Sequence, residues 1–191
     1  VKAVAITSKQ ANTYVFDRVT GEPVWPIEER PVPRGDVPGE WYAATQPFPT
    51  KPPAYDQQGV TIDDLIDFTP ELRDEAIAML DDYVWGPFFT PPTLIDDRPG
   101  GTQGSLVVPG LVGGTDWNGA GVDPETGILY VASTKGCSAP ELIPGAEADS
   151  PSRLCRVVQG APRQDRSIAD LAADLQHLGE HCRHVDGYLS S

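Results

Sequence analysis

Positive charge is scarce in this chain: 14 lysines and arginines stand against 28 aspartates and glutamates, for a net charge of −14. Such a surface repels phosphates, and no basic stripe relieves it, which argues against a nucleic-acid ligand. Cysteine is sparse as well. Three cysteines leave at least one unpaired within the chain, which argues against a scaffold held by disulfides alone, although two could pair in an oxidising compartment. No hydrophobic run is long enough to cross a membrane as a helix. The sequence opens on Val1, inside a strand-like pattern and with no signal-peptide pattern, so the chain is expected to be part of a larger protein. What is plentiful is proline and glycine, 20 and 19 of 191 residues, above average usage. That composition fits an all-β protein with long, punctuated loops better than a helical bundle.

The stretch from Lys2 to Trp25 reads as two strands joined by a short polar link, then a tight turn and a tryptophan. Val4 and Ile6 alternate with small or polar neighbours, and Tyr14, Val15 and Phe16 are β-branched or aromatic, so both runs suit a pleated, half-buried surface. The link, residues 8–12, holds Lys9, the one cation between Lys2 and Arg18. Taken by itself, Lys9 is either a solvated loop lysine, the commoner state, or a group aimed into a site. In the turn Asp17-Arg18-Val19-Thr20-Gly21, the aspartate can accept backbone N–H bonds and the glycine can take positive φ. The same grammar returns at Asp123-Pro124-Glu125-Thr126-Gly127, again with an aromatic residue, Tyr130, shortly after. A repeated strand–turn–strand unit points to a radial or stacked β architecture.

Residues 7–33, TSKQANTYVFDRVTGEPVWPIEERPVP, closely resemble the quinoprotein dehydrogenases that use pyrroloquinoline quinone (PQQ), especially those of the glucose dehydrogenase type. The resemblance continues through Pro38-Gly39-Glu40, residues 46–53 and residues 64–72. It resumes at Gly113-Gly114-Thr115-Asp116-Trp117 and at residues 123–127. It implies an eight-bladed β-propeller whose blades carry tryptophan-docking turns. A blade takes on the order of 40–45 residues, so about two to three blades are expected here, an incomplete slice of the ring with an inserted helix and a tail that could be helical. The expected organisation is a partial propeller over 1–133, including a proline-rich insertion at 26–68 and a helix at 69–85, then a divergent tail at 134–191.

The resemblance also implies chemistry. An alcohol or sugar hydroxyl is oxidised in the bacterial periplasm, hydride passes to PQQ, and calcium polarises the quinone carbonyl. A quinone or cytochrome could then accept the electrons. Lys9 matches the cation that hydrogen-bonds the quinone oxygens and stabilises negative charge developing there. In the resembled enzymes an Asn-Trp pair faces the ring where this chain has Asp116 and Trp117. An added anion beside a quinone that becomes electron-rich is unfavourable, unless Asp116 is engaged elsewhere. The family's catalytic aspartate and calcium carboxylates lie upstream of this lysine, so no residue here is nominated for them, and the piece alone is expected to be inactive or nearly so. Two readings from other classes are a non-catalytic propeller scaffold, which has no need of Lys9 with Gly-Gly-x-x-Trp, and a carbohydrate-binding β module stacking sugars on Trp41, Tyr42 or Trp117.

Between the recognised motifs, prolines at 26, 31, 33, 38, 47, 49, 52 and 53 exclude helix and central strand. Trp41, Tyr42, Phe48 and Tyr55 supply apolar area to pin this span onto the rest. Thr69, Pro70 and Glu71 form a helix start. Leu72, Ala76, Met79 or Leu80, and Tyr83 then make one face, with the stop near Gly86-Pro87. Asp74, Glu75, Asp81 and Asp82 read as its solvated side. Residues 104–110 read as a short buried strand, 138–153 show no clear period, and 167–178 have helical spacing. His177, His181, Cys182 and His184 are interrupted by Gly179 and do not read as a metal site.

Overall fold

Ala3–Thr7 (β1) and Thr13–Asp17 (β2) form an antiparallel pair with Ile6 opposite Tyr14 and Val4 opposite Phe16. In this computed structural model the described residues are 1–116 and 118–144, together with the backbone of Arg156–Gln159. On β2 the alternation works as the pleat requires: Thr13 and Val15 are buried. Val4 and Ile6 lie on the other face of the pair and are 44% and 51% exposed.

The turn after β2 and its distant copy agree bond for bond. Asp17 N donates to Glu22 O and Gly21 N to Asp17 O, each at 2.8 Å; the counterparts are Asp123 N to Ile128 O at 2.9 Å and Gly127 N to Asp123 O at 2.8 Å. Each aspartate accepts from the N–H two residues on, Val19 at 2.8 Å and Glu125 at 2.9 Å. Each threonine hydroxyl accepts from an N–H two residues later, and each glycine has positive φ, 77° and 72°, which its missing Cβ permits. The first copy turns β2 back onto Pro23 and Val24. The second joins Ala120–Val122 (β5) to Leu129–Val131 (β6).

The proline-rich span, where the prolines exclude helix and central strand, contains a two-stranded sheet: Ile27–Pro31 (β3) pairs with Thr45–Pro49 (β4). The bonds Val32 N to Ala44 O and Thr50 N to Pro26 O make 32↔44 and 26↔50 hydrogen-bonded pairs. Pro31, Pro47 and Pro49 all fall on the intervening pairs, 31↔45, 29↔47 and 27↔49. There the ladder asks no N–H of either partner, and in a two-stranded sheet both strands are edges. Proline spacing by twos therefore suits this hairpin. A further sheet joins Pro140–Ile143 (β7) to Arg156–Gln159 (β8), where the sequence showed no period. Among the described residues the architecture is four separate two-stranded antiparallel sheets, all-β apart from one helix and a 3₁₀ turn.

The helix α1 runs Pro70–Leu80 and ends well before Gly86. Its start is as expected: Thr69 Oγ1 accepts from Leu72 N at 3.3 Å, and Glu71, exposed in the first turn, has its carboxyl held below the usual range by a backbone N–H and by Thr69. The early end has a tertiary cause. Asp82 O accepts from Gln103 N, Val84 N donates to Gly104 O, and Val84 O accepts from Leu106 N, so the backbone beyond the helix is taken into pairing with 103–106. The buried side is also shifted from the expected stripe. Ala76 and Leu80 pack with Leu65 and against Ile66, Ile77 and Leu106, while Leu72 is 41% exposed. Arg73 covers that side and donates to Leu65 O and Ile62 O. Thr69→Ala is expected to cost about 1 kcal/mol, seen as a lowered midpoint in urea with an unchanged slope.

Residues 104–110 do not form a regular strand. Ser105 bridges Val84 and Val107 bridges Ser138, with Ser105 and Val108 buried. A small cavity of about 50 Å³ lies beneath α1 between Leu65, Leu80, Val108 and Cys137. Burial pushes the Cys137 thiol up to about 11, from an ordinary value of about 8.5. Between those values an unfolded chain ionises this thiol while the folded one keeps its proton. Below the lower value both states hold the proton and the group is silent. Stability is therefore expected to fall as pH rises through this window, by up to about 1.4 kcal/mol per pH unit from this group. Cys137→Ser should flatten the fall in denaturation curves taken from pH 8 to 11; an identical slope in the variant would refute it. The expected helix at 167–178 and the histidines of the tail lie outside the described residues.

Candidate functional site

Lys9 sits in the loop between β1 and β2, and that loop is tied down residue by residue. Ser8 N donates to Asn12 O and Ala11 N to Ser8 O, both at 3.0 Å. Ala11 closes the loop at φ 62° with no exposed surface. A residue with a Cβ in the left-handed region costs about 1–2 kcal/mol, and persists where its surroundings over-determine it.

Those surroundings come from two distant segments that take four consecutive carbonyls of the loop. Ser8 O accepts from the Tyr55 hydroxyl at 2.5 Å. Lys9 O accepts from Gly114 N at 2.9 Å, Gln10 O from Gln58 Nε2 at 2.7 Å, and Ala11 O from Tyr55 N at 3.0 Å. Gln58 Nε2 also donates to Asn12 Oδ1 at 3.0 Å. The Tyr55 ring is buried, and desolvation raises its phenol above the ordinary value. Further out, Ser133 Oγ donates to Asp56 Oδ2, Thr134 N to Gly114 O at 2.7 Å, and Thr115 Oγ1 to Ala132 O at 2.6 Å. A clamped backbone leaves the Lys9 side chain as the end of the loop that reaches outward.

Gly113 makes room for it. A Cβ at this glycine would stand 2.5 Å from Lys9 Cβ and 2.7 Å from Cγ, and its φ is 88°. The lysine stem thus lies directly on the glycine backbone. The Gly-Gly segment is a close approach of backbone to side chain. At the far end Lys9 Nζ stands 3.8 Å from Asp116 Oδ1, with the two side chains 56% and 46% exposed. That separation exceeds hydrogen-bond length, so the carboxylate steers the ammonium as an ion pair, without that contact consuming one of its donors. Between half-exposed partners such a pair contributes roughly 0–1 kcal/mol. Lys9 and Asp116 are therefore together, as the sequence grouped them; Trp117 lies outside the described residues.

Lys9 also lines a cleft of about 520 Å³, between the loop carrying Trp41 and Tyr42, the segment 87–92 and residues 106–111. The volume is that of a small-molecule site. Phe88 and Phe89 form part of its wall, their rings tilted at 44° with centroids 4.1 Å apart, and each is met edge-on by Phe48 at 6.3 and 5.7 Å. A flat, anionic quinone fits such a place in kind: a half-exposed ammonium on a clamped backbone, beside aromatic surface. Among the described residues no three His, Cys, Asp or Glu side chains gather into a metal site. Sequence reasoning noted Tyr55 only as a docking aromatic and missed Gln58. An aromatic among prolines was the one signal available for the clamp.

The chain matches the family model for the PQQ-dependent glucose/ethanol/alcohol dehydrogenase β-propeller domain over residues 1–177. It is 34% identical over 134 residues to the glycerol dehydrogenase large subunit of Gluconobacter thailandicus, covering 68% of this chain and 17% of that protein. With the quinate/shikimate dehydrogenase (quinone) of Acinetobacter baylyi it shares 32% over 131 residues, 68% of this chain and 15% of the relative. With the quinoprotein glucose dehydrogenase of Escherichia coli it shares 34% over 131 residues, 65% and 14%. The chain thus spans about a sixth of the length of these relatives, 14% to 17%. No solved structure matches it.

Proposed function

Because the chain belongs to the PQQ-dependent glucose/ethanol/alcohol dehydrogenase β-propeller family, we propose that it forms part of the quinone-binding wall of a sugar or alcohol dehydrogenase. The observation that carries this reading is the Lys9 loop: four carbonyls clamped, a strained Ala11, and Lys9 among the residues that line a cleft. Fixing a cation in place before the charge arrives is how a site stabilises developing negative charge without reorganising.

When bound, PQQ supplies a two-electron acceptor for hydride from a hydroxyl-bearing carbon. The protein's part is then specific. Lys9 directs N–H donors at quinone oxygens, Asp116 keeps the ammonium aimed, and the Phe88–Phe89 wall excludes water from part of the cleft. Asp116 paired to Lys9 also answers the objection to an anion beside an electron-rich quinone, because the lysine offsets its charge at 3.8 Å. Calcium, a periplasmic setting, an eight-bladed ring and a quinone or cytochrome acceptor belong to the same reading. The metal carboxylates and the proton-accepting carboxylate are assigned to other parts of the ring, so this stretch alone turns over no substrate.

A non-catalytic propeller scaffold shares the docking turns and leaves the Lys9 clamp without a purpose. The experiment is a titration of the chain with PQQ, with and without calcium, followed by quinone absorbance and by quenching of tryptophan emission. Saturable binding weakened about tenfold or more in Lys9→Met supports the reading. No saturable binding, or binding that ignores Lys9, would sink it.

A further inference from the structure

Trp41 is 84% exposed, among the most exposed large apolar side chains of the described residues, yet the loop that carries it is not loose. Val32 N donates to Ala44 O at 3.2 Å across its base. The Tyr42 ring lies so close to Gly35 that a Cβ there would meet it at 2.4 Å, and the Tyr42 hydroxyl accepts from Val37 N at 3.2 Å. Val37 is buried, and Thr93 Oγ1 donates to Asp36 Oδ1 at 2.7 Å. The loop is thus bolted at its base, its middle and its partner segment, while the indole is held out at the same cleft that Lys9 lines. Around it the cleft offers amide and hydroxyl groups at Gln10, Gln46 and Thr90.

An exposed indole face on a bolted loop, beside neutral amides, is the chemistry that receives a cyclic polyol. The ring's C–H face packs on the aromatic surface while its rim of hydroxyls finds donors and acceptors. An acyclic, small alcohol has no such face. We propose that Trp41 is the specificity-determining residue of this site, a stacking platform that favours pyranose or cyclitol substrates over short acyclic alcohols. The inference rests on the dehydrogenase reading above and goes beyond it by naming the substrate class and the residue that selects it.

The test uses the 191-residue chain with PQQ at saturation, titrated with D-glucose and, separately, with glycerol. Tryptophan emission and calorimetry report binding, and quinone absorbance is read in the same samples. Glucose is expected to shift the indole emission. Trp41→Ala should weaken glucose binding roughly three- to tenfold, Trp41→Phe should restore most of it, and glycerol binding should not change. An exposed indole is not needed for folding, so circular dichroism of both variants should match the parent. The platform is refuted if the parent takes up PQQ but no glucose, if Trp41→Ala binds glucose as tightly as the parent, or if glycerol loses as much. Failure of the parent to take up PQQ refutes the dehydrogenase reading instead.

Discussion

Lys9→Met is expected to weaken PQQ binding by one to two orders of magnitude, since a charge-assisted hydrogen bond contributes about 1.5–3 kcal/mol. Methionine keeps an apolar stem on Gly113 and removes only the ammonium, so the substitution isolates charge from packing. Stability should change by less than about 1 kcal/mol, because the ion pair with Asp116 is long and half-exposed. On the proposed reading, Lys9→Ala in a dehydrogenase that carries this stretch together with a complete ring should cut turnover on the order of a hundredfold or more, the usual cost of removing a donor to developing negative charge. The two measurements together, a large loss of affinity or turnover with an almost unmoved urea midpoint, are the signature of a site residue. Equal affinity in variant and parent would remove Lys9 from the site, and a large fall in stability would make it structural.

Gly113→Ala should act on the same lysine from beneath. At φ 88° an added Cβ carries backbone strain of about 1–2 kcal/mol, and here it also lands 2.5 Å from Lys9 Cβ. The clash adds about 1–3 kcal/mol, for a total on the order of 2–5 kcal/mol. Gly39 provides a matched control. Its φ is also 88°, and nothing lies within 4 Å of where its Cβ would stand. Gly39→Ala should therefore show the strain alone. If the two variants unfold at the same denaturant concentration, the Lys9 stem does not press on Gly113 and the described geometry is wrong. If Gly113→Ala is the less stable and PQQ binding falls with it, glycine at this position serves the lysine directly.

The parts of the molecule that were legible in the chain are those whose bonds close locally. Both Asp-x-x-Thr-Gly turns complete their hydrogen bonds within a few residues, so the motif is the structure, and its repetition was a sound sign of a repeated β unit. The start of α1 is likewise written in Thr69, Pro70 and Glu71. Its end was not, because Gln103, Gly104 and Leu106 draw residues 82–84 away from the helix. The β3–β4 hairpin was hidden for another reason. Proline counts against a strand unless the ladder's register is known, and only that register shows that Pro31, Pro47 and Pro49 fall where no N–H is needed.

From the residues alone came the acidic, proline-rich β character, the twin turns, the helix start, and the grouping of Lys9 with the Gly-Gly-x-Asp segment through family likeness. Only the folded chain shows how the backbone of Lys9 is held. Tyr55 and Gln58, 47 and 48 residues away from their partners, and Gly114, further still, supply the bonds that fix its backbone. A contact between positions so far apart leaves no period or spacing to read, since its geometry exists only once the intervening chain has closed upon itself.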